Sequence, residues 1–184
     1  MNVPVIETPR LILREWLPED TEPFIAMNQD KDVMEFFPNL LTVSETLAMI
    51  ERIKQHFSTY GFGLYAIEDK TDKQFIGFTG LSTITFQSYF TPCIEVGWRL
   101  KKNAWGKGFA TEAAQACLTQ GFEALQLDKI VSFTATINHR SEKVMQRIGM
   151  TLTGQFDHPR VPATSILCRH VLYEITAQEF QYRP

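Results

Sequence analysis

Residues 103–112 read NAWGKGFATE, with Gly106 and Gly108 flanking Lys107 directly after a β-rich run and directly before a helical one. A turn between two elements rarely needs both glycines, so something is expected to approach the backbone closely here. The chemistry open to such a turn is anion binding. The first N–H groups of a helix lack intrahelical acceptors and form the positive end of its dipole, and glycines before them let a bulky phosphate reach in. Lys107 adds charge nearby. Asn138-His139-Arg140-Ser141 is a second cluster, in which Asn138 is a good N-cap and Ser141 stands three residues on, near a free N–H. The third candidate is Glu95. In the alternating run CIEVGWRL it falls on the face opposite Ile94 and Val96, as a proton-accepting carboxylate or as a solvated or ion-paired one.

These residues need elements to position them. Arg10–Trp16 reads as a strand ended by Pro18. Asp20 is a candidate cap for a helix through Glu22–Asn28, and Val33–Phe37 reads as a second helical piece closed by Pro38. Ser44 precedes a longer helix, with Leu47, Ile50, Ile53 and Phe57 at helical spacing, which Gly61 stops. Phe62–Glu68, Phe75–Ile84 and Cys93–Leu100 read as strands, the last with Ile94, Val96, Trp98 and Leu100 on one face. Phe109–Leu125 is a helix whose inner side carries the small residues Ala110, Ala113, Ala114, Cys117 and Gly121, which let it lie close on a sheet. Ile130–Ile137 is a strand, His139–Ile148 a helix ended by Gly149, and Thr151–Phe156 and Cys168–Ile175 are strands. Neighbouring strands in the first half suggest antiparallel pairing, and the alternation after Leu100 suggests a parallel crossover. A mixed sheet flanked by helices follows, an α/β (α+β) chain with one domain over 8–180.

Length and charge narrow the classes. A chain of 184 residues is enough for one well-buried core. Its net charge is −3 with acids and bases interleaved, so it lacks the basic stripe that nucleic acid requires. Cys93, Cys117 and Cys168 are far apart and read as buried apolar residues of a reducing compartment. No signal peptide or membrane span is visible, so a cytoplasmic protein with no membrane partner is expected. The four histidines share no metal spacing, and no metal is expected.

Several ligands compete for the GKG turn. A P-loop needs a glycine where Lys101 stands and Ser or Thr where Gly108 stands. A dinucleotide fingerprint needs a third glycine where Thr111 stands, although Asp128 lies at a ribose-contact distance in sequence. A turn without any ligand stays open on this segment alone, as does coenzyme A.

LKKNAWGKGFATEA followed by TINHRSEKVMQRIGM resembles the core of the GNAT superfamily of acetyl-CoA-dependent N-acetyltransferases. Its signature Q/R-x-x-G-x-G/A falls on Trp105–Ala110, with Trp at the first position, as in the branch resembling the ribosomal-protein N-terminal alanine/serine acetyltransferases. TPRLILREW, FIGFTGL and HVLYEIT also resemble that branch. The resemblance implies a twisted, mostly antiparallel sheet of six or seven strands with a splayed central parallel pair. It implies that Trp105, Gly106, Lys107, Gly108, Phe109, Ala110 and Thr111 bind the cofactor's pyrophosphate, and that backbone groups of Trp98 and Leu100 bind its pantetheine arm. Asn138 would contact that arm and Ser141 would lie near the departing sulfur. Many relatives place a tyrosine acid where Met145 stands here. Protonation of the thiolate then falls to Ser141 or water, or is not needed. Glu95 becomes the candidate base for a protonated amine acceptor. Phe36, Phe37, Phe86 and Tyr89 are candidates for an acceptor pocket, or equally for a lid or a dimer contact. Tyr173 reads as a core tyrosine with a satisfied hydroxyl. The expected activity is acetyl transfer to a primary amine, a protein N-terminus or else a small amine such as a polyamine, amino acid or antibiotic, by a monomer or homodimer. A non-catalytic acetyl-CoA-binding module is the alternative.

Overall fold

The computed structural model describes residues 3–181. One sheet of eight strands runs in the order β1-β2-β3-β4-β5-β6-β8-β7. The strands are β1 (Ile6–Glu7), β2 (Leu11–Arg14), β3 (Leu64–Asp69), β4 (Phe75–Ile84), β5 (Cys93–Leu100), β6 (Lys129–Ala135), β7 (Thr151–Asp157) and β8 (Arg169–Thr176). The helices are α1 (Thr21–Gln29), α2 (Val43–Tyr60), α3 (Phe109–Thr119), α4 (His139–Arg147) and α5 (Ala177–Gln181). Every neighbouring pair is antiparallel except β5 with β6. The strand beyond the expected six or seven is β1, whose two residues pair with Leu13 and Ile12. Two residues are too few to show a period-2 pattern.

Local chemistry explains where several elements begin and end. α2 starts one residue before Ser44, because Thr42 accepts from the Glu45 N–H while the Glu45 carboxylate reaches back to the Thr42 N–H. Gly61 ends it at φ 77°, as the sequence suggests. Val33–Phe37 forms turns rather than a helix. Asp30 begins one helical turn, its Oδ1 taking the Asp32 N–H at 2.8 Å and its O the Met34 N–H at 3.0 Å. The Phe37 N–H then turns back to Met34 O, and Pro38 has no N–H to continue. The helix expected over Phe109–Leu125 is α-helical only to Thr119 and then winds as a π-helical turn over Gln120–Ala124, with the Leu125 N–H bonded to Gln120 O.

Asp20 does not cap α1 with its side chain. Its carboxylate is buried instead, accepting from both terminal nitrogens of Arg14, at 2.7 and 3.0 Å, and from the Leu17 N–H. Arg14 Nε is bonded to Glu68 at 2.7 Å. Removing one partner of such a pair leaves the others unpaired out of water. Asp20→Ala is therefore expected to cost about 3–5 kcal/mol in a urea unfolding midpoint measurement.

The two faces of the sheet carry different helices. α3 lies on one, its Ala113, Ala114, Cys117 and Leu118 wholly buried, so that its backbone approaches β4 and β5 closely. On the other, Phe24 of α1 meets Phe75 and Phe78 of β4 edge-on. Along β5, Val96 and Leu100 are buried and Ile94 and Trp98 pack on the same core, so Glu95, Gly97 and Arg99 alternate onto the opposite face. β5 and β6 form one ladder pair, Glu95 opposite Val131, among the described residues. Beyond it, toward Leu100 and Ala135, they part.

Candidate functional site

The turn before α3 is built for close approach. Gly106 (φ 76°) and Gly108 (φ 82°) both sit in the left-handed region, where a side chain strains the backbone. An added Cβ at Gly106 would meet nothing within 4 Å, and at Gly108 only Arg10 Nη2 at 3.4 Å. Gly108 is the N-cap of α3 and has no side chain to satisfy the N–H groups behind it. Arg10 latches the turn in place. Its Nη1 donates to Lys107 O at 2.8 Å, its Nε donates to Glu112 at 2.6 Å, and its guanidinium lies 4.7 Å from the centre of the Phe109 ring. Burial works to raise the Glu112 carboxyl, but hydrogen bonds from Thr8 and Arg10 hold it below the usual carboxylate range. The acid at the start of α3 is thus committed to Arg10.

The parting of β5 from β6 exposes backbone polar groups. Lys101 N donates to Ile76 O of β4, and Thr79 Oγ1 donates to Gly97 O. By strand alternation, odd-numbered residues of β5 turn their backbone groups to β4, and those of Trp98 and Leu100 face the gap. Leu100 O accepts from the Trp105 indole at 2.9 Å, which fixes Trp105 at the gap's end. Across the gap, Asn138 caps α4 by accepting from the Ser141 N–H. Its amide donates to Thr134 Oγ1 at 2.9 Å and to Ser141 Oγ at 3.1 Å. The Ser141 hydroxyl oxygen is therefore an acceptor, and its hydrogen has no acceptor among the described residues.

These groups share one cleft of about 690 Å³ that passes through the gap from the α3 face to the α1 face. Trp98, Leu100, Trp105, Gly106, Gly108, Phe109, Ala110, Thr111, Asn138 and Ser141 line it, and so do Glu95, Phe36 and Phe37. Lys107, Phe86 and Tyr89 are not among its lining residues. Lys107 places its ammonium 5.8 Å from the Phe109 ring centre. Phe86 stands behind the wall, 5.9 Å from Phe133 and 5.0 Å from His158, both of which do line the cleft. Tyr89 is 70% exposed and meets Phe90 edge-on. Tyr173 donates its hydroxyl hydrogen to Glu142 at 2.9 Å and accepts from Gln146, so it is engaged away from the cleft, as the sequence suggests. Met145 is buried and contributes to the cleft lining.

Glu95 is the acid of this cleft, and its carboxylate has no hydrogen bond or ion pair among the described residues. It keeps some surface toward the cleft, yet protein surrounds it closely enough that burial pushes its carboxyl up to about 8. A carboxyl poised there exchanges a proton near neutral pH.

Arg140 and Arg99 are lining residues to which the sequence alone assigns no role. Arg140 lies over the Trp105 ring at 4.4 Å and the Phe36 ring at 5.4 Å, and pairs with Glu35, tying α4 to the turn beside α1. Arg99 lies 4.0 Å from the Phe37 ring centre on the α1 face. For Arg99 the signal was present: the alternation that turns Glu95 away from Val96 turns Arg99 the same way. For Arg140 it was not, since its partners are remote in sequence.

Anion-binding amides, a strand edge open to a linear ligand, a free hydroxyl hydrogen and a poised carboxyl in one cleft can hold a phosphorylated thioester beside a nucleophile. No group of three or more His, Cys, Asp or Glu able to hold a metal occurs among the described residues, and no described helix is long and apolar enough to cross a membrane. Residues 10–151 match the family model of the acetyltransferase (GNAT) domain. An uncharacterized N-acetyltransferase of Bacillus subtilis, YnaD, is 30% identical over 153 residues, covering 82% of this chain and 85% of its own. FsC-acetyl coenzyme A-N(2)-transacetylase of Aspergillus fumigatus is 28% identical over 189 residues, covering 96% and 78%. The fold is also that of the ribosomal-protein-S5-alanine acetyltransferase of Vibrio fischeri, with TM-score 0.76 and 16% identity over 98% of this chain and 100% of the other.

Proposed function

The chain belongs to the GNAT family of acetyltransferases, and from that premise we propose that it is an N-acetyltransferase binding acetyl-CoA in the β5–β6 gap, its acceptor a protein or peptide N-terminus. One catalytic domain over residues 8–180 carries this activity. The observation that carries the reading is the pair of left-handed glycines, open above their Cα atoms, leading into a cleft that reaches Glu95.

The residues fit that carrier. The N–H groups at Phe109, Ala110 and Thr111, with the two glycines, would hold its diphosphate, and the backbone of Trp98 and the amide of Asn138 would hold its arm. Bound acetyl-CoA supplies an activated acetyl thioester. The chain's own part is alignment first: the gap orients one reactant and the α1 face of the cleft the other, which makes the encounter effectively unimolecular. Backbone N–H groups of β5 that face the gap stabilise negative charge developing on a carbonyl oxygen. Glu95, when ionised, takes the proton that an attacking amine must shed. The Ser141 hydroxyl, held by Asn138, donates its free hydrogen toward the leaving group. A thiol of pKa about 8.5 leaves tolerably without full protonation, so Ser141→Ala is expected to lower turnover only about tenfold, with CoA affinity unchanged, in a thiol-release assay.

The cations lining the cleft, Arg99, Arg140, Lys143, Arg147 and Arg160, outnumber its acid, Glu95, among the described residues. A polyamine, itself a polycation, would meet like charge there. The test is calorimetry with CoA, then thiol release from acetyl-CoA over a panel of peptides and small amines. Absence of CoA binding by the folded protein overturns the reading, and thiol release with small amines but no peptide overturns the acceptor.

A further inference from the structure

Arg99 keeps some surface toward the cleft on the acceptor face, yet protein surrounds it closely and no counter-charge meets it among the described residues. Its Nη1 donates to Asn28 Oδ1 at 2.6 Å, and the guanidinium stacks against Phe37 at 4.0 Å and Phe78 at 5.4 Å. Asn28 is itself wholly buried and oriented by donating to the buried Thr46 hydroxyl at 3.2 Å, so it presents its oxygen, a neutral acceptor, to the arginine. Arg99 Nε is buried with no hydrogen-bond partner, and Nη2 makes no hydrogen bond among the described residues. Nε lies beyond the reach of a water-sized group, so Nη2 is the donor that a carboxylate entering the cleft can meet. The acids near the cleft mouth are spoken for: Asp32 pairs with Lys102, and Glu35 with Arg140. Burial pushes the Arg99 guanidinium down to about 10, which still leaves it charged at neutral pH. An unpaired charge in such surroundings is costly to keep, and its missing partner is the feature to explain.

Resting on the reading that the cleft accepts an amine, we propose that Arg99, through Nη2, binds a carboxylate carried by the acceptor molecule, and so selects acidic acceptors. Gly97 lies between Glu95 and Arg99 on the same face, and a Cβ added there would meet nothing within 4 Å. That leaves room for the amine within reach of Glu95. Two residues of strand separate Gly97 from Arg99, about 7 Å. An α-amino acid holds its amine and carboxylate on one carbon and is too short for that span. An acidic side chain in the second residue of a peptide fits it, as does a small ω-amino acid, and the shared chemistry is an amine and a carboxylate several bonds apart.

The experiment uses matched pairs: the C-terminally amidated peptides Ala-Asp-Ala and Ala-Asn-Ala, and 5-aminovalerate with its amide. Thiol release at saturating acetyl-CoA gives kcat/KM for each, and calorimetry on the CoA-bound protein gives binding without turnover. The carboxylate member is expected to win by at least about tenfold, because its analogue forfeits a charge-assisted hydrogen bond to a guanidinium with no other counter-charge. Preference in the peptide pair identifies an acidic N-terminus, and preference in the small pair alone identifies an amino acid; both support the assignment. Arg99→Gln is expected to bring the ratio near one while the KM for acetyl-CoA holds, and Arg99→Lys to restore it only in part. Asn28→Asp supplies an internal carboxylate while keeping Arg99, and is expected to lose the preference even if Arg99→Gln fails to fold. Equal handling of both members by the unaltered protein, or a preference that survives Arg99→Gln or Asn28→Asp, overturns the proposal. Transfer to all members equally sinks Arg99 and spares acetyl transfer. Carboxylate-selective binding with no transfer does the reverse.

Discussion

Gly108→Glu abolishes measurable CoA binding while the protein stays folded: that is the expected calorimetric result, at least about a hundredfold loss. Two terms contribute. A carboxylate at the N-cap of α3 would stand where a diphosphate should lie, and two like charges about 4 Å apart repel by about 4 kcal/mol at the effective dielectric of a protein surface. The left-handed backbone at φ 82° adds about 1–2 kcal/mol of strain for any residue with a Cβ. Folding tolerates this because the position is open, with Arg10 Nη2 at 3.4 Å as the nearest neighbour of an added Cβ. Gly108→Asn separates the terms, since asparagine accepts the left-handed region and carries no charge. Its affinity is expected to fall far less. Equal losses in the two variants would mean that backbone shape alone matters, and unchanged affinity in Gly108→Glu would remove the turn from the binding site.

Glu95→Gln is expected to cut turnover by about a hundredfold or more, the usual contribution of a positioned base. The pH dependence identifies the cause. Burial raises this carboxyl to about 8, so below that pH it holds its proton and accepts none. Turnover should therefore fall as pH drops through about 8 in the unaltered protein, and the variant should lose that limb along with the rate. Stability moves the other way. A carboxyl whose folded value lies above its unfolded value of 4.5 favours folding while protonated, and stability is lost as pH rises from about 4.5 to about 8. Glutamine stays neutral, so the variant is expected to unfold at a higher temperature than the parent above pH 8. A variant that is slower but equally pH-dependent would show that the limb belongs to the amine or another group.

Local chemistry alone accounts for much of this. The GKG turn is legible because a positive φ, a helix start and a strand end are matters of neighbouring residues. The Asn138 cap is legible for the same reason, and β5 because its face alternation is a two-residue rhythm. Where local signals compete, reading the chain fails: Asp20 looks like a cap, yet Arg14, itself paired with Glu68 of the adjacent strand, claims it in the interior. Val33–Phe37 looks helical, yet after a single turn begun at Asp30 the Phe37 N–H turns back to Met34 O.

The residues thus determined by themselves that this chain holds a left-handed glycine turn before a helix, and a capped helix behind an alternating strand with an outward carboxylate. Only the tertiary structure decided that these share one cleft, that Phe36 and Phe37 line it while Phe86 and Tyr89 do not, and that Glu95 is poised near neutral pH. It alone placed Arg99 against Asn28, remote in sequence, with no acid to meet it. Burial and charge pairing are sums over neighbours brought together from distant parts of the chain, and no short stretch of sequence contains them.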